Sequence, residues 1–146
     1  MTAFGQRFAT CLRPGDVILL DGDLGTGKTH VARAIIQSRL ATSGREVEHV
    51  PSPTFTLVQT YDLGDTEIWH TDLYRLSGPD EIAELGLEEA FETGIVLVEW
   101  PDRLEDQTPP TALRIQISLA KPHGRHLVLD GGAHWAGRLT GLQAQS

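Results

Sequence analysis

The chain is poor in cysteine: among 146 residues only Cys11 occurs, so no internal disulfide can form, which fits a reducing compartment. No apolar run approaches the roughly 20 residues that a membrane helix needs. The start, Met1-Thr2-Ala3-Phe4-Gly5-Gln6-Arg7, lacks the basic segment and apolar stretch of a secretory signal. A cytoplasmic location with no membrane contact is expected. Positive charge is also scarce, since the formal net charge is −8. Unaided binding to a nucleic-acid backbone, which draws its affinity from neutralising phosphates with Lys and Arg, is disfavoured. A protein partner, or a small anion in a dedicated pocket, suits the charge better. There is no repeat, no low-complexity segment, and no linker longer than the Glu105 to Pro110 turn.

What is present suits a globular fold: 40% hydrophobic and 22% charged residues are ordinary values. The length allows one core, so 1–146 is expected to be a single domain, monomeric when alone. Phe4, Phe8 and Leu12 share one face of a short first helix, which Arg13-Pro14-Gly15-Asp16 breaks. Val17-Ile18-Leu19-Leu20 has the length and uniform apolarity of a strand buried on both faces. A helix with the stripe Val31, Ala34, Ile35 should follow and stop near Ser43-Gly44.

Further strands are expected over Thr54 to Tyr61, Glu67 to His70, Ile95 to Val98, Leu113 to Ile117 and His126 to Leu129. A short helix should run from Pro79-Asp80 to Leu85, and Trp135, Leu139 and Leu142 mark a closing helix. The fold class is therefore α/β, a mostly parallel central sheet flanked by helices with antiparallel C-terminal strands.

Between the first buried strand and its helix stands Gly22-Asp23-Leu24-Gly25-Thr26-Gly27-Lys28-Thr29. This is the phosphate-binding spacing G-x-x-x-x-G-K-[ST], in the strand–loop–helix order it requires. Gly25 and Gly27 let successive backbone N–H groups curl around one anion, and the helix N-terminus adds its dipole. Lys28 reaches the β- and γ-phosphates, and Thr29 offers a hydroxyl to Mg²⁺. The nucleotide-binding set is taken as Gly25, Thr26, Gly27, Lys28, Thr29 and His30.

Phosphoryl chemistry also needs a carboxylate for the metal or its water at the end of a neighbouring buried strand. Glu99, delivered by four apolar residues, fits that place. Trp100 either covers the nucleotide site or packs under Pro101. In His70-Thr71-Asp72, Asp72 is read as orienting water or the Mg²⁺ shell, against the alternative of a turn cap. His70 is read as structural, since two ligands without a third do not make a zinc site. His123 and His126 are read as solvated. Ser52-Pro53-Thr54 is either a hydroxyl-bearing switch or a simple proline turn.

The loop, with Ser52-Pro53-Thr54-Phe55-Thr56-Leu57-Val58, His70-Thr71-Asp72-Leu73-Tyr74-Arg75-Leu76 and Leu97-Val98-Glu99-Trp100-Pro101, occurs in the order seen in the TsaE (YjeE) family. The resemblance runs from about Gly5 to Arg125. It implies a P-loop NTPase that binds Mg-ATP, hydrolyses it slowly alone, and works with TsaB and TsaD in making threonylcarbamoyladenosine on tRNA. TsaD transfers the group, the ATPase resets or regulates the complex, and tRNA is met only through that complex. It further implies Thr29 and Glu99 as Mg²⁺ ligands, Asp72 and Thr54 as residues needed for hydrolysis, and Trp100 and Arg125 beside the nucleotide. The chain departs from the family at His30, where a second Thr is usual. It also begins within the equivalent of the first helix, which leaves adenine recognition unassigned.

Two other readings compete. A small P-loop kinase would carry an arginine-rich lid, and no such insertion is present. A nucleotide-gated binding module without turnover competes more closely, because no arginine finger is evident; Arg75 is an internal candidate or a surface residue. A guanine-nucleotide switch would need an Asn/Thr-Lys-x-Asp segment, which is missing.

Overall fold

A computed structural model describes residues 2–23, 25–76, 79–120 and 124–145, and the side chains of these except at 2, 79 and 141–145. Leu24, His123 and the side chain of Leu142, invoked above, lie outside the described residues.

The elements run α1 (Thr2–Ala9), β1 (Val17–Asp21), α2 (Lys28–Thr42), β2 (Val58–Asp62), β3 (Glu67–Asp72), α3 (Pro79–Glu84) and α4 (Leu87–Thr93). Then come β4 (Ile95–Glu99), a 3-10 stretch (Pro101–Gln107), β5 (Leu113–Leu119), β6 (Arg125–Asp130) and α5 (Gly132–Gln145). The strands form one sheet in the order β2-β3-β4-β1-β5-β6. β3, β4, β1 and β5 are parallel neighbours, and β5–β6 is antiparallel. The expected architecture is thus observed, with one addition: β2 also pairs antiparallel, to β3, so both edges are antiparallel.

Alternate residues of the apolar strands enter two cores. Ile18, Leu20, Ile95 and Leu97 pack with Phe8 of α1, Val31 and Ile35 of α2, and Trp135 of α5. Val17, Leu19, Val96 and Val98 pack with Ile82 of α3, Leu87 and Ala90 of α4, and Leu104. A strand with helices on both sides has no polar face to show, which is why β1 and β4 read as continuous apolar runs. No helix among the described residues is long and apolar enough to cross a membrane.

Two local expectations need correction. The strand expected from Thr54 begins only at Val58. Its partner β3 ends at Asp72, whose N–H donates to Leu57 O; Leu73 N–H then turns to Glu99 O, leaving nothing for Thr54 to Thr56 to pair with. Those residues form a turn instead, closed by Leu57 N–H to Pro53 O, with Leu57 at φ 69°. The helix α4 was not expected; it starts directly after Gly86, which adopts φ 77° and separates it from α3.

Candidate active site

Because β1, β3 and β4 are parallel, their C-terminal ends lie on one edge. Register puts Leu20 beside Glu99, and Glu99 beside Asp72. The glycine loop leaves β1 at that same edge, where sheets of this kind place ligands. A cleft of about 300 Å³ opens there, lined by Gly25, Gly27, Lys28, Thr29, His30, Ser52, Thr54, Asp72, Glu99 and Trp100.

The loop conformation is fixed by glycines. Gly22, Gly25 and Gly27 have φ of 153°, 79° and 108°, values a side chain rarely tolerates. Gly27 O then accepts from Val31 N–H as α2 begins. At Gly22 a Cβ would stand 2.5 Å from Ile117 O and 2.7 Å from Thr26 Oγ1. The first of these is backbone in β5 and cannot swing aside. Gly22→Ala is therefore expected to destabilise the fold by roughly 1–3 kcal/mol, read as a lower midpoint in urea unfolding. An unchanged midpoint would contradict this packing.

Lys28 is buried, and its Nζ donates to Gly22 O at 2.7 Å and Asp23 O at 2.9 Å. The ammonium also lies 4.1 Å from the centre of the Trp100 ring, within range of a cation–π attraction. Burial lowers the Lys28 pKa below the ordinary lysine value, opposed by the charges of Glu99, Asp72, Asp21 and Asp23. The site thus holds a partly desolvated cation whose hydrogen bonds, among the described residues, go to neutral carbonyls, an arrangement that phosphate oxygens can improve.

Thr29, on the first turn of α2, aims its hydroxyl at Glu99, with Oγ1 at 2.9 Å from Oε1 and 3.0 Å from Oε2. Asp72 Oδ1 accepts from Tyr74 N–H at 2.9 Å, while Thr54 Oγ1 donates to Oδ2 at 3.3 Å. Ser52 Oγ and Thr54 Oγ1 are 2.7 Å apart, so the Ser-Pro-Thr segment reaches the cleft with both hydroxyls.

Trp100 takes the left-handed conformation, φ 57° and ψ 57°, which for a bulky residue costs about 1–3 kcal/mol. That turn sets the indole on the cleft wall, 4.8 Å from the Tyr74 ring. Trp100 therefore lines the cleft.

Thr26 and Arg125 stand apart from the cleft lining. Thr26 Oγ1 donates to Asp23 O, and Arg125 Nε donates to Thr26 O at 2.7 Å, so Arg125 ties β6 to the glycine loop. Arg125 also lines a second cavity of about 390 Å³, with Phe4, Gly27, His30, Gly124 and Leu127. His30 is exposed on the rim shared by both cavities. Arg75 sits outside the cleft, its guanidinium 5.3 Å from the ring of the exposed Phe55. His126 is exposed.

Sequence reasoning gave His70 no part in the site. The structure buries it against Glu99, Nε2 to Oε2 at 2.6 Å. Its signal was the alternation that puts residues 70 and 72 on one face of β3.

For a metal, the hard oxygen donors Thr29 and Glu99 suit Mg²⁺. Among the described residues no group of three or more His, Cys, Asp or Glu is disposed to hold an ion.

The family described as Threonylcarbamoyl adenosine biosynthesis protein TsaE matches residues 1–127. A tRNA threonylcarbamoyladenosine biosynthesis protein TsaE from Rickettsia bellii is 41% identical over 116 residues, spanning 80% of this chain and 78% of that protein. The protein of the same name from Bacillus subtilis is 37% identical over 126 residues, spanning 86% and 75%. That from Streptomyces coelicolor is 35% identical over 144 residues, spanning 93% and 94%. The crystal structure of Bacillus subtilis YdiB aligns with a TM-score of 0.72 and 29% identity, covering 99% of this chain and 87% of that one. The chain belongs to the TsaE family.

Proposed function

We propose that this protein is a Mg²⁺-dependent ATPase serving tRNA threonylcarbamoyladenosine biosynthesis in the cytoplasm. It acts on or resets a TsaB–TsaD complex rather than transferring the group itself, and meets tRNA only through that complex. The observation that carries the reading is the convergence of Lys28, the Thr29–Glu99 pair and the Thr54–Asp72 pair on one cleft beside the glycine loop. The family names of the relatives support the pathway, and the family resemblance supports the partners.

In this reading the backbone N–H groups of Gly25 to Thr29 cradle the phosphates, and Lys28 exchanges its loop carbonyls for β/γ oxygens. Thr29 and Glu99 would hold Mg²⁺, which when bound would supply positive charge to the phosphate oxygens. Asp72, anchored through Oδ1, keeps Oδ2 toward Thr54 and the cleft, where it orients the attacking water. Trp100 narrows the site against solvent.

A second reading, a nucleotide-gated module with negligible turnover, draws on one observation: no arginine lines the cleft among the described residues. The charge that builds up on a transferring phosphoryl group is commonly met by such a residue, worth about 10³–10⁵ in rate. Slow turnover alone, with the missing cation supplied by a partner, reconciles both. ATP turnover measured with and without TsaB–TsaD separates them: strong stimulation is expected. Tight binding with no turnover in either condition would favour the module.

A further inference from the structure

Behind Glu99 lies a polar contact that the proposed reaction leaves unused. His70 is fully buried on β3, and its Nε2 is 2.6 Å from Glu99 Oε2. Glu99 is buried as well, and Thr29 Oγ1 meets the same carboxylate from α2. A carboxylate only accepts, so the Nε2 proton of His70 points at Oε2. Among the described residues His70 Nδ1 is buried without a partner, so the ring is committed to Glu99 alone.

Packing does not account for this pair. On that face Ile68 on β3 and Leu97 on β4, both fully buried aliphatics, lie toward the core, while Asp72 follows on the cleft side. An aliphatic at 70 would extend the core without the desolvation that a buried carboxylate–imidazole contact carries. What the contact does supply is orientation. A glutamate side chain ends in a freely turning carboxylate; here it is gripped from β3 by His70 and from α2 by Thr29. The Oε1 edge is left to Thr29 and the cleft.

We propose that His70 is a positioning residue for the divalent cation: it fixes the Glu99 carboxylate so that Glu99 and Thr29 meet Mg²⁺ together. The proposal rests on the nucleotide reading above. Mg²⁺ is intolerant of misplaced ligands, and hydrogen bonds that orient ligating side chains typically change metal affinity by about 10–100-fold. His70 touches neither nucleotide nor metal, and works only through Glu99.

The test is ADP affinity of the full chain, measured by calorimetry in excess Mg²⁺ and again in EDTA, for wild type, His70→Leu and His70→Gln. The ratio of the two dissociation constants is the readout. His70→Leu should reduce the Mg²⁺ enhancement about tenfold or more while leaving the EDTA affinity unchanged. His70→Gln, whose amide nitrogen can reach Glu99, should restore most of it. If His70→Leu does not fold, His70→Asn, too short to span the contact, replaces it with the same expectation.

A lowered melting temperature with the wild-type ratio intact would overturn the proposal and leave a structural pair. Wild-type protein that binds ADP with no Mg²⁺ enhancement would overturn it too, without touching nucleotide binding. Wild-type protein that binds ADP in neither condition would remove the nucleotide reading itself.

Discussion

Lys28→Ala is expected to abolish useful ATP binding while leaving the folded protein as stable as wild type, or slightly more so. The two halves of that result have separate causes. Burial disfavours the charged ammonium and pushes its pKa down, so deleting it removes a desolvation cost. The carbonyls it leaves, Gly22 O and Asp23 O, belong to residues that keep some exposure at the loop surface, where water can replace the donor. With nucleotide present the balance should reverse, because in the proposed reading the same ammonium faces phosphate oxygens. Truncating one partner of a buried charge pair costs about 2–5 kcal/mol, or roughly 30-fold to several thousand-fold in affinity. Calorimetric titration with ATP and a melting curve on the same sample check both halves. Weakened binding together with a large loss of stability would mean that Lys28 is a structural clip for the loop and little else.

Asp72→Ala should produce the opposite split, with nucleotide still bound and turnover lost. Asp72 is buried at the end of β3, one oxygen held by Tyr74 N–H and the other by the Thr54 hydroxyl. Its negative charge opposes that of the phosphates, so its removal should leave ADP affinity unchanged or somewhat tighter. Loss of a positioned general base or water-orienting carboxylate typically costs about 10²–10⁴ in rate. The alanine variant also frees Tyr74 N–H, so Asp72→Asn, which keeps an acceptor there, should be measured alongside. Both variants should show the rate loss in single-turnover hydrolysis. Wild-type turnover in either would remove Asp72 from the mechanism and leave it as a cap for the turn after β3.

The parts of this site that the sequence revealed are those encoded by short-range spacing. The glycine loop is eight consecutive residues whose backbone must bend one way, and its helix ends where Ser43-Gly44 allows. β1 and β4 were legible because a strand buried on both faces leaves no room for polar residues. Glu99 followed from the run before it. Where meaning depended on a distant partner, the sequence was silent. Thr54-Phe55-Thr56-Leu57 has strand-forming residues, yet the strand it would pair with ends at Asp72. Helix α4 has only seven residues between Gly86 and Gly94, too short for Leu87, Ala90 and Phe91 to declare a period. The antiparallel edge β2–β3 turns at Gly64, with φ 100° and its N–H on Asp62 Oδ1. That turn signal stood in Leu63-Gly64-Asp65 unread. His70 meets Glu99 across 29 positions of sequence, a contact that only the pairing of β3 with β4 creates.

The most direct test of the whole reading is a calorimetric titration of the purified wild-type chain with ATP, in the presence of Mg²⁺ and then of EDTA. One site per chain with affinity strengthened by Mg²⁺ is the expected result if, as proposed, Lys28 and the loop take the phosphates and Thr29 with Glu99 take the cation. No saturable binding in either condition would contradict it, and would reduce the cleft to a glycine turn opening a helix.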